Sequence, residues 1–169
     1  MLRNPCPLGL LFFFATQLWG QYVINTIAGG GAPQGVPATS VGIGTPAHLA
    51  VDANSNVYIG SQTQNQIYKV DTAGALTTVA GNGGLAPHYD TELGPALGTA
   101  IYPGSIALDP TGTLYVAGYY CCVLKVSNGL ISRAAGNGIW GFSGDGGPAS
   151  NAAINPPSGI AFDSAAIYI

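Results

Sequence analysis

Charged side chains are scarce in this sequence, because aspartate, glutamate, lysine and arginine together make up 7% of its 169 residues. Only four residues are basic, and Arg3 lies in the amino-terminal leader. The other three, Lys69, Lys125 and Arg133, are too few to form a basic patch, so we expect no nucleic-acid partner. With 47% apolar residues and 26 glycines, the composition is typical of a β-rich extracellular protein rather than a disordered one.

Catalytic and cofactor motifs are also missing. The sequence has no recognisable Ser/His/Asp order, nucleophile elbow or Cys/His pair, and no glycine spacing placed between a strand and a helix as a nucleotide site requires. His48 has no partner at metal-binding spacing, whereas His88 lies beside Asp90 and Glu92. A zinc site from these last three residues is conceivable, but we favour a solvated polar loop and predict no cofactor and no metal.

Helical periodicity is absent, since no window has the three-four spacing of apolar residues over three turns. Short apolar runs alternate instead with turn residues, which predicts strands. The runs fall into two groups of four, at 49–52, 57–59, 66–70 and 76–80, and then at 105–108, 114–117, 123–126 and 130–135. We therefore predict an all-β fold.

A linking motif and a terminal aspartate recur along the chain. Ala-Gly-Asn-Gly at 80–83 and 135–138 leads to Gly-Pro-Ala at 94–96 and 147–149. Aspartates that end an apolar run follow at Asp52, Asp109 and Asp163, so the spacings are 57 and then 54 residues. A period of about 50 residues is typical of propeller blades, and four-stranded units stacked radially form a β-propeller.

These motifs carry a resemblance to a known family. Pro-x-Gly-Ile-Ala-x-Asp at 157–163, Leu-Tyr-Val-Ala at 114–117 and Lys-Val at 125–126 resemble NHL repeats. The linker at 136–149 is similar to the long variety found in secreted bacterial NHL proteins and in the teneurin NHL domain. The resemblance spans roughly residues 22–169 and implies a propeller of the six-bladed, TolB-like type, although one fold hosts many functions.

The repeat count is smaller than such a ring requires. Unit one is expected at 46–80, unit two at 103–135 and an incomplete unit three at 157–169, which amounts to about two and a half blades. Residues 22–28 align with the fourth strands of units one and two, so we predict that they complete a C-terminal blade. The missing C-terminal blades of the same chain are thus expected partners of this N-terminal fragment.

The amino-terminal 20 residues have the pattern of a secretory signal peptide. Arg3 supplies the positive start, residues 8–15 form the apolar core, and cleavage is expected before Gln21. The apolar run is too short to span a bilayer comfortably. We therefore expect a secreted, periplasmic or cell-surface protein with no membrane contact beyond this leader; an uncleaved anchor is the alternative.

Strand order indicates where a site would lie. In a four-stranded antiparallel unit, the loops at 29–45, 81–102 and 136–156 emerge on the same face as those at 60–65 and 118–121. Long loops on a rigid scaffold usually carry function, so this long-loop face is the expected site. Its candidate residues are Tyr119, Tyr120, Trp140, Phe142 and Asp145, and its expected partner is a protein or a glycan.

Two features have a structural as well as a functional interpretation. The recurring aspartates Asp52, Asp109 and Asp163 could ring a cation, but bonding to the following turn is favoured. Gly-Asp-Gly-Gly at 144–147 resembles part of a calcium loop, but a glycine turn with Asp145 bonding local amides is favoured.

The adjacent cysteines Cys121 and Cys122 leave three alternatives open. In an oxidising compartment they could form a vicinal disulfide, bridge to other parts of a longer protein, or remain free thiols. The sequence does not favour one of these over the others.

We expect the protein to act as a non-enzymatic binding scaffold. One alternative is a propeller enzyme, a lyase or a lactonase-like hydrolase, with an axial metal supplied partly by the missing blades. Another is a structural spacer within a larger cell-surface protein.

The leader predicts export. Residues 1–33 fused to an alkaline phosphatase that folds only outside the cytoplasm should give an active reporter, and the released product should begin at Gln21 on amino-terminal sequencing. A fusion lacking residues 8–15 is the control, because it removes the apolar core that the export machinery recognises. Equal activity of the two fusions would contradict the prediction.

Overall fold

The structure is a computed structural model that describes residues 34–85, 94–118, 120–164 and 166–169. Within these residues it is all-β, as the sequence predicts, and its only helical elements are the two short 3-10 turns Ala38–Ser40 and Ala149–Asn151. No helix in the described ranges is long and apolar enough to cross a membrane. The predicted signal peptide and the strand expected at 22–28 lie outside the described residues.

The first sheet has five antiparallel strands. Four of them match the predicted runs, and a fifth, two-residue strand precedes them. The strands are β1 (Val36–Pro37), β2 (Pro46–Val51), β3 (Val57–Ser61), β4 (Gln66–Val70) and β5 (Ala75–Ala80), in the order β1-β5-β4-β3-β2. Residues 29–45 are predicted from the sequence to be loop throughout, but they contain β1, which pairs with the outer strand β5.

The second sheet repeats the order of the first, and a third sheet is a hairpin. Each strand of the second sheet pairs antiparallel with the next along the chain. Its strands are β6 (Ser105–Leu108), β7 (Leu114–Gly118), β8 (Cys122–Ser127) and β9 (Leu130–Ala135). The hairpin consists of β10 (Ala161–Phe162) and β11 (Ile167–Tyr168). The described strands form three open sheets.

Neighbouring sheets meet through β2, β6 and β10, because β6 contacts both of the other two strands. A buried apolar cluster fills the space between the first two sheets, with Ile67 and Ala80 on one side and Ile106, Val116 and Leu124 on the other. Burying each large aliphatic side chain contributes about 1.5–3 kcal/mol. The third sheet packs on the second through Tyr115 and Phe162, whose ring centroids are 4.7 Å apart.

The segment ahead of β2 covers the other face of the first sheet. Ala38, Val41 and Ile43 are buried there in one cluster with Ile59, Tyr68, Val70 and Leu76. The segment is tied to β5 and its turn by hydrogen bonds, in which the Gly35 amide donates to the Leu76 carbonyl (2.8 Å) and the Ala38 amide to the Gly74 carbonyl (2.9 Å). The loop is thus part of the core.

A glycine ends the outer strand of each complete sheet where the backbone passes close to strand three. Gly81 and Gly136 have φ of +92° and +78°. A Cβ at Gly81 would overlap the Asn65 carbonyl oxygen and lie 2.8 Å from the Cα of Gln66; one at Gly136 would meet Cys121 and Cys122 in the same way. These glycines are required by both conformation and contact.

Substituting either glycine should destabilise the protein beyond the cost of positive φ alone. Gly74→Ala is the control, because Gly74 has φ of +80° but nothing within 4 Å of an added Cβ. We expect Gly74→Ala to lower the free energy of unfolding by about 1–2 kcal/mol, and Gly136→Ala by a further amount of about 1–3 kcal/mol from overpacking. Urea denaturation measures both, and equal losses would contradict the contact argument.

Candidate functional site

The loop between the second and third sheets is fixed at its base by backbone hydrogen bonds. The Gly136 amide donates to the Ala149 carbonyl (2.9 Å), and the Asn137 amide donates to the Ala152 carbonyl (2.8 Å). Further along, Ser143 and Ala153 exchange two hydrogen bonds of 3.2 and 3.1 Å. Residues 136–153 therefore form a loop that is closed twice on itself, and its tip has a defined conformation.

Asn137 sets the direction of the tip. Its side-chain Nδ2 donates to the Asn151 carbonyl (3.1 Å), and its Oδ1 accepts from the Ile139 amide (2.9 Å). With both ends of this amide engaged, the chain turns outward after Asn137. Ile139, Trp140 and Phe142 are then 62%, 59% and 84% exposed. These three side chains are called the apolar loop tip.

The structure separates the predicted site residues. Trp140 and Phe142 lie at the apolar loop tip. Asp145 is exposed farther along the same loop, whereas Tyr120 is half-buried against the core cluster between the first two sheets. Tyr119 lies outside the described residues. Tyr120 is thus partly packed on the core and partly exposed, and its expected role in binding stays a prediction.

The glycine turn predicted around Asp145 is present. The Gly147 amide donates to the Gly144 carbonyl (3.0 Å), and Gly144 and Gly146 have positive φ. No hydrogen bond recorded among the described residues reaches the Asp145 carboxylate, so this part of the expected turn is not seen. Ile139 also belongs to the loop tip, although the sequence did not predict it as a site residue. It lies between Gly138 and Trp140, a spacing that gives no signal of exposure.

An open cleft adjoins the apolar loop tip. It has a volume of about 760 Å³ and lies between the end of the loop and the third sheet. Its lining is mostly apolar and includes Phe142, Ile154, Ile160, Tyr168 and Ile169. The cleft is therefore a largely apolar concavity that is open to solvent.

The recurring aspartates act in the turns, as the structural interpretation predicts. Asp52 Oδ1 accepts from the amides of Asn54 and Asn56, both at 2.9 Å. Asp109 Oδ1 accepts from the amides of Thr111 and Thr113 at the same distance. Each carboxylate therefore supplies the hydrogen-bond acceptor for two backbone amides of the turn that follows it.

The third aspartate repeats this bonding and adds a tyrosine. Asp163 Oδ1 accepts from the Ala166 amide (2.7 Å), and its Oδ2 accepts from the hydroxyl of Tyr168 (2.8 Å). This hydrogen bond to the carboxylate raises the pKa of Tyr168, with a smaller contribution from burial. All three recurring aspartates thus accept hydrogen bonds in the turns that follow β2, β6 and β10.

The adjacent cysteines are buried free thiols in the structure. Burial raises the pKa of Cys122 to about 11 and also raises the pKa of Cys121, so both are held as thiols at neutral pH. Cys121 has φ of 55°, and Asn65, with φ of 50°, holds the corresponding place before β4. Their pairing with each other or with another cysteine stays a prediction.

Metal-ligating side chains do not gather in the described part of the chain. Within those residues no group of three or more histidine, cysteine, aspartate or glutamate side chains could hold a metal ion. His48 is half-buried beside a bulge of β2. The conceivable site of His88, Asp90 and Glu92 lies outside the described residues.

Comparison with known proteins leaves the family open. No family model matches the chain, and no curated protein matches it. A similar solved structure is that of a structural genomics protein of unknown function from Bacteroides thetaiotaomicron, with 23% identity and a TM-score of 0.49. The match covers 64% of this chain and 28% of that one. Such a likeness carries no argument about function, and the NHL resemblance stays a prediction.

Acid should weaken the aspartate turns. The hydrogen bond from Asn56 chiefly lowers the pKa of Asp52; for Asp109, burial acts to raise the pKa, but the bonds from Thr111 and Thr113 lower it overall. A carboxyl group whose folded pKa is lowered stabilises the fold above its unfolded pKa, and this contribution is lost as pH falls through the folded value.

We therefore expect the urea midpoint to fall as the pH is lowered below about 4. In Asp109→Asn the turn keeps an oxygen acceptor but loses the titrating group, so the decline should be shallower than in the unchanged protein. Thr111→Val, which removes one hydroxyl donor to Asp109, should give an intermediate slope. Identical slopes for all three proteins would contradict the assignment.

Proposed function

We propose that this protein is an exported β-propeller segment of the NHL type that binds a protein or a glycan through its long-loop face and does not catalyse a reaction. Two observations support the propeller part. Strands β2–β5 of the first sheet follow the same order as strands β6–β9 of the second, and β6 contacts both β2 and β10. Radial stacking of four-stranded sheets is the architecture of a propeller.

The apolar loop tip is the observation that carries the binding part. Ile139, Trp140 and Phe142 are three large apolar side chains within four residues, and all are more than half exposed. Single exposed apolar residues are ordinary, but a group of them on one protrusion is typical of an interaction site. Tryptophan is also among the residues that contribute most to binding energy at interfaces.

The order of the loop supports the same function. A partner that binds a flexible loop must first immobilise it, which costs about 0.5–1.5 kcal/mol for each side chain with many rotamers. The hydrogen bonds of Gly136, Asn137 and Ser143 fix the backbone before any partner arrives. Two of the three side chains are aromatic, and a ring has few rotamers to lose on binding.

A peptide and glycan selection tests the proposal. The immobilised protein should enrich peptides from a phage-displayed random library, or retain glycans on an array, because the loop tip offers a preformed apolar surface. Trp140→Ala combined with Phe142→Ala should weaken the affinity for the selected ligands by about tenfold or more. Surface plasmon resonance with the synthesised ligands measures the change.

The matched control is Leu130→Ala. Leu130 is 56% exposed and lies at the start of β9, away from the apolar loop tip. This substitution removes a comparable exposed apolar side chain and should leave binding unchanged. If no peptide or glycan is enriched, or if the control weakens binding as much as the double variant, the proposed site is wrong.

A further inference from the structure

Each complete sheet is bordered by a Pro-Ala dipeptide from the loop that precedes it. At positions 37–38 and 95–96 this dipeptide runs beside the turn and outer strand of the sheet. The Ala38 amide donates to the Gly74 carbonyl (2.9 Å), and the Ala96 amide donates to the Gly129 carbonyl (2.8 Å). Pro37 pairs with Ala75, and Pro95 with Leu130, the first residue of β9.

The third loop holds its own Pro-Ala dipeptide, at 148–149, in the same way at its base. The Gly136 amide bonds to the Ala149 carbonyl as the Gly81 amide bonds to the Ala96 carbonyl, both at 2.9 Å. The bonds of Asn137 to Ala152 and Asn151 likewise repeat those of Asn82 to Thr99 and Gly98. Because the anchoring is the same, the third dipeptide is set in position to border a further outer strand.

The third sheet contains only its first two strands among the described residues. Ala38 and Ala96 are each 1% exposed, but Ala149 is exposed. Ile59 pairs with Leu49, and Val116 pairs with Ile106. In the third sheet Ala161 pairs with Tyr168, and continuing this register by one residue places Ile169 opposite Ile160. Ile59 and Val116 are 1% and 2% exposed, whereas Ile169 is 55% exposed.

The first two sheets show what covers these positions. In the first sheet Tyr68 of β4 and Leu76 of β5 share a cluster with Ala38, Ile43 and Ile59. In the second sheet Leu124 of β8 and Ile131 of β9 share a cluster with Ala96, Ile101 and Val116. The corresponding residues Ile154 and Ile169 line the open cleft. In both complete sheets the space is therefore filled by an antiparallel hairpin, β4–β5 or β8–β9, which places one apolar side chain from each strand in the cluster.

We infer that the cleft is a docking site for an antiparallel β-hairpin of the β4–β5 type. Its first strand would pair with β11, and the turn and start of its second strand would run beside the Pro-Ala dipeptide at 148–149. Two strands fit between these borders if the spacing follows that of the complete sheets, where three intervals of about 4.8 Å separate strand two from the dipeptide. Edge strands with unpaired backbone groups accept such additions.

The sequence of a fitting hairpin follows from these requirements. It needs a residue that tolerates positive φ before its first strand, as Asn65 does. It needs a large apolar residue in each strand, at the positions of Tyr68 and Leu76. It also needs a glycine after the second strand, at the position of Gly81. A synthetic peptide of residues 65–81 meets all three conditions and contains no cysteine.

Fluorescence anisotropy of this labelled peptide, added to the full chain, tests the inference. We expect saturable one-to-one binding and slower hydrogen exchange of the Ala149 amide, which would donate to the peptide turn. A peptide with Tyr68→Asp and Leu76→Asp should bind about tenfold or more weakly, since it cannot fill the cleft. Equal binding of the two peptides, or unchanged exchange at Ala149, would overturn the inference.

Two protein variants locate the site. Ile169→Asp should weaken peptide binding about as much as the altered peptide does, and Leu49→Asp, at a position of similar exposure on β2, should not. If the chain associates with itself through the cleft, light scattering will show a dimer that Ile169→Asp dissociates, and the second copy rather than a hairpin is the occupant. The inference does not rest on the proposed function: Trp140 does not line the cleft, so Trp140→Ala should weaken binding of the selected ligands and leave hairpin binding unchanged.

Discussion

A close backbone crossing at the end of each outer strand determines where the loops go. At Gly81 and Gly136 the chain leaves its sheet over the residue that begins strand three, in a space that leaves no room for a Cβ. The amide of the same glycine donates the first hydrogen bond of the loop, to Ala96 or to Ala149. The strand ending and the loop anchor are therefore one arrangement, and it occurs twice with the same geometry.

Both candidate surfaces depend on that crossing. If the chain left the sheet in another direction, Asn137 could not reach Asn151, and Trp140 and Phe142 would lose their fixed orientation. The Pro-Ala dipeptide at 148–149 would also shift away from the third sheet. A local conformational requirement of one residue thus positions the apolar loop tip and the border of the cleft together, although these surfaces differ in the ligands proposed for them.

The strands could be predicted because their signals are local. Residues 66–70 and 114–117 are short apolar runs, and Asp71 and Asp109 begin the turns that follow the runs at 66–70 and 105–108. The aspartate turns could be predicted for the same reason, since each carboxylate bonds to amides within four residues. Such contacts leave a repeated pattern in the sequence whenever the same turn is built more than once.

What the sequence could not predict depends on contacts between distant residues. β1 carries a proline, which argues against a strand, yet Pro37 pairs with Ala75 at the edge of the sheet, where a missing amide donor is tolerated. Tyr120 and Trp140 are both aromatic loop residues, but only Tyr120 packs against the core between the sheets. Ile139 gives no local signal, because its exposure follows from the bond of Asn137 to Asn151 on the far side of the loop.

The exposed apolar residues at the two ends of the sheet stack follow from how one unit buries its core. A four-stranded sheet has two apolar faces, and a neighbour on each side covers them. The second sheet has neighbours on both sides, so Val116 and Val123 are buried on opposite faces. The first sheet covers part of its free face with Ala38, Val41 and Ile43 from its own loop, but Leu49 and Val51 of β2 stay exposed. The loop therefore covers the strands of the first sheet that lie beyond β2 and leaves β2 uncovered. Leu49 is exposed because no neighbouring sheet covers β2 on this face among the described residues, whereas Ile169 is exposed because the third sheet has no strands beyond β11 there.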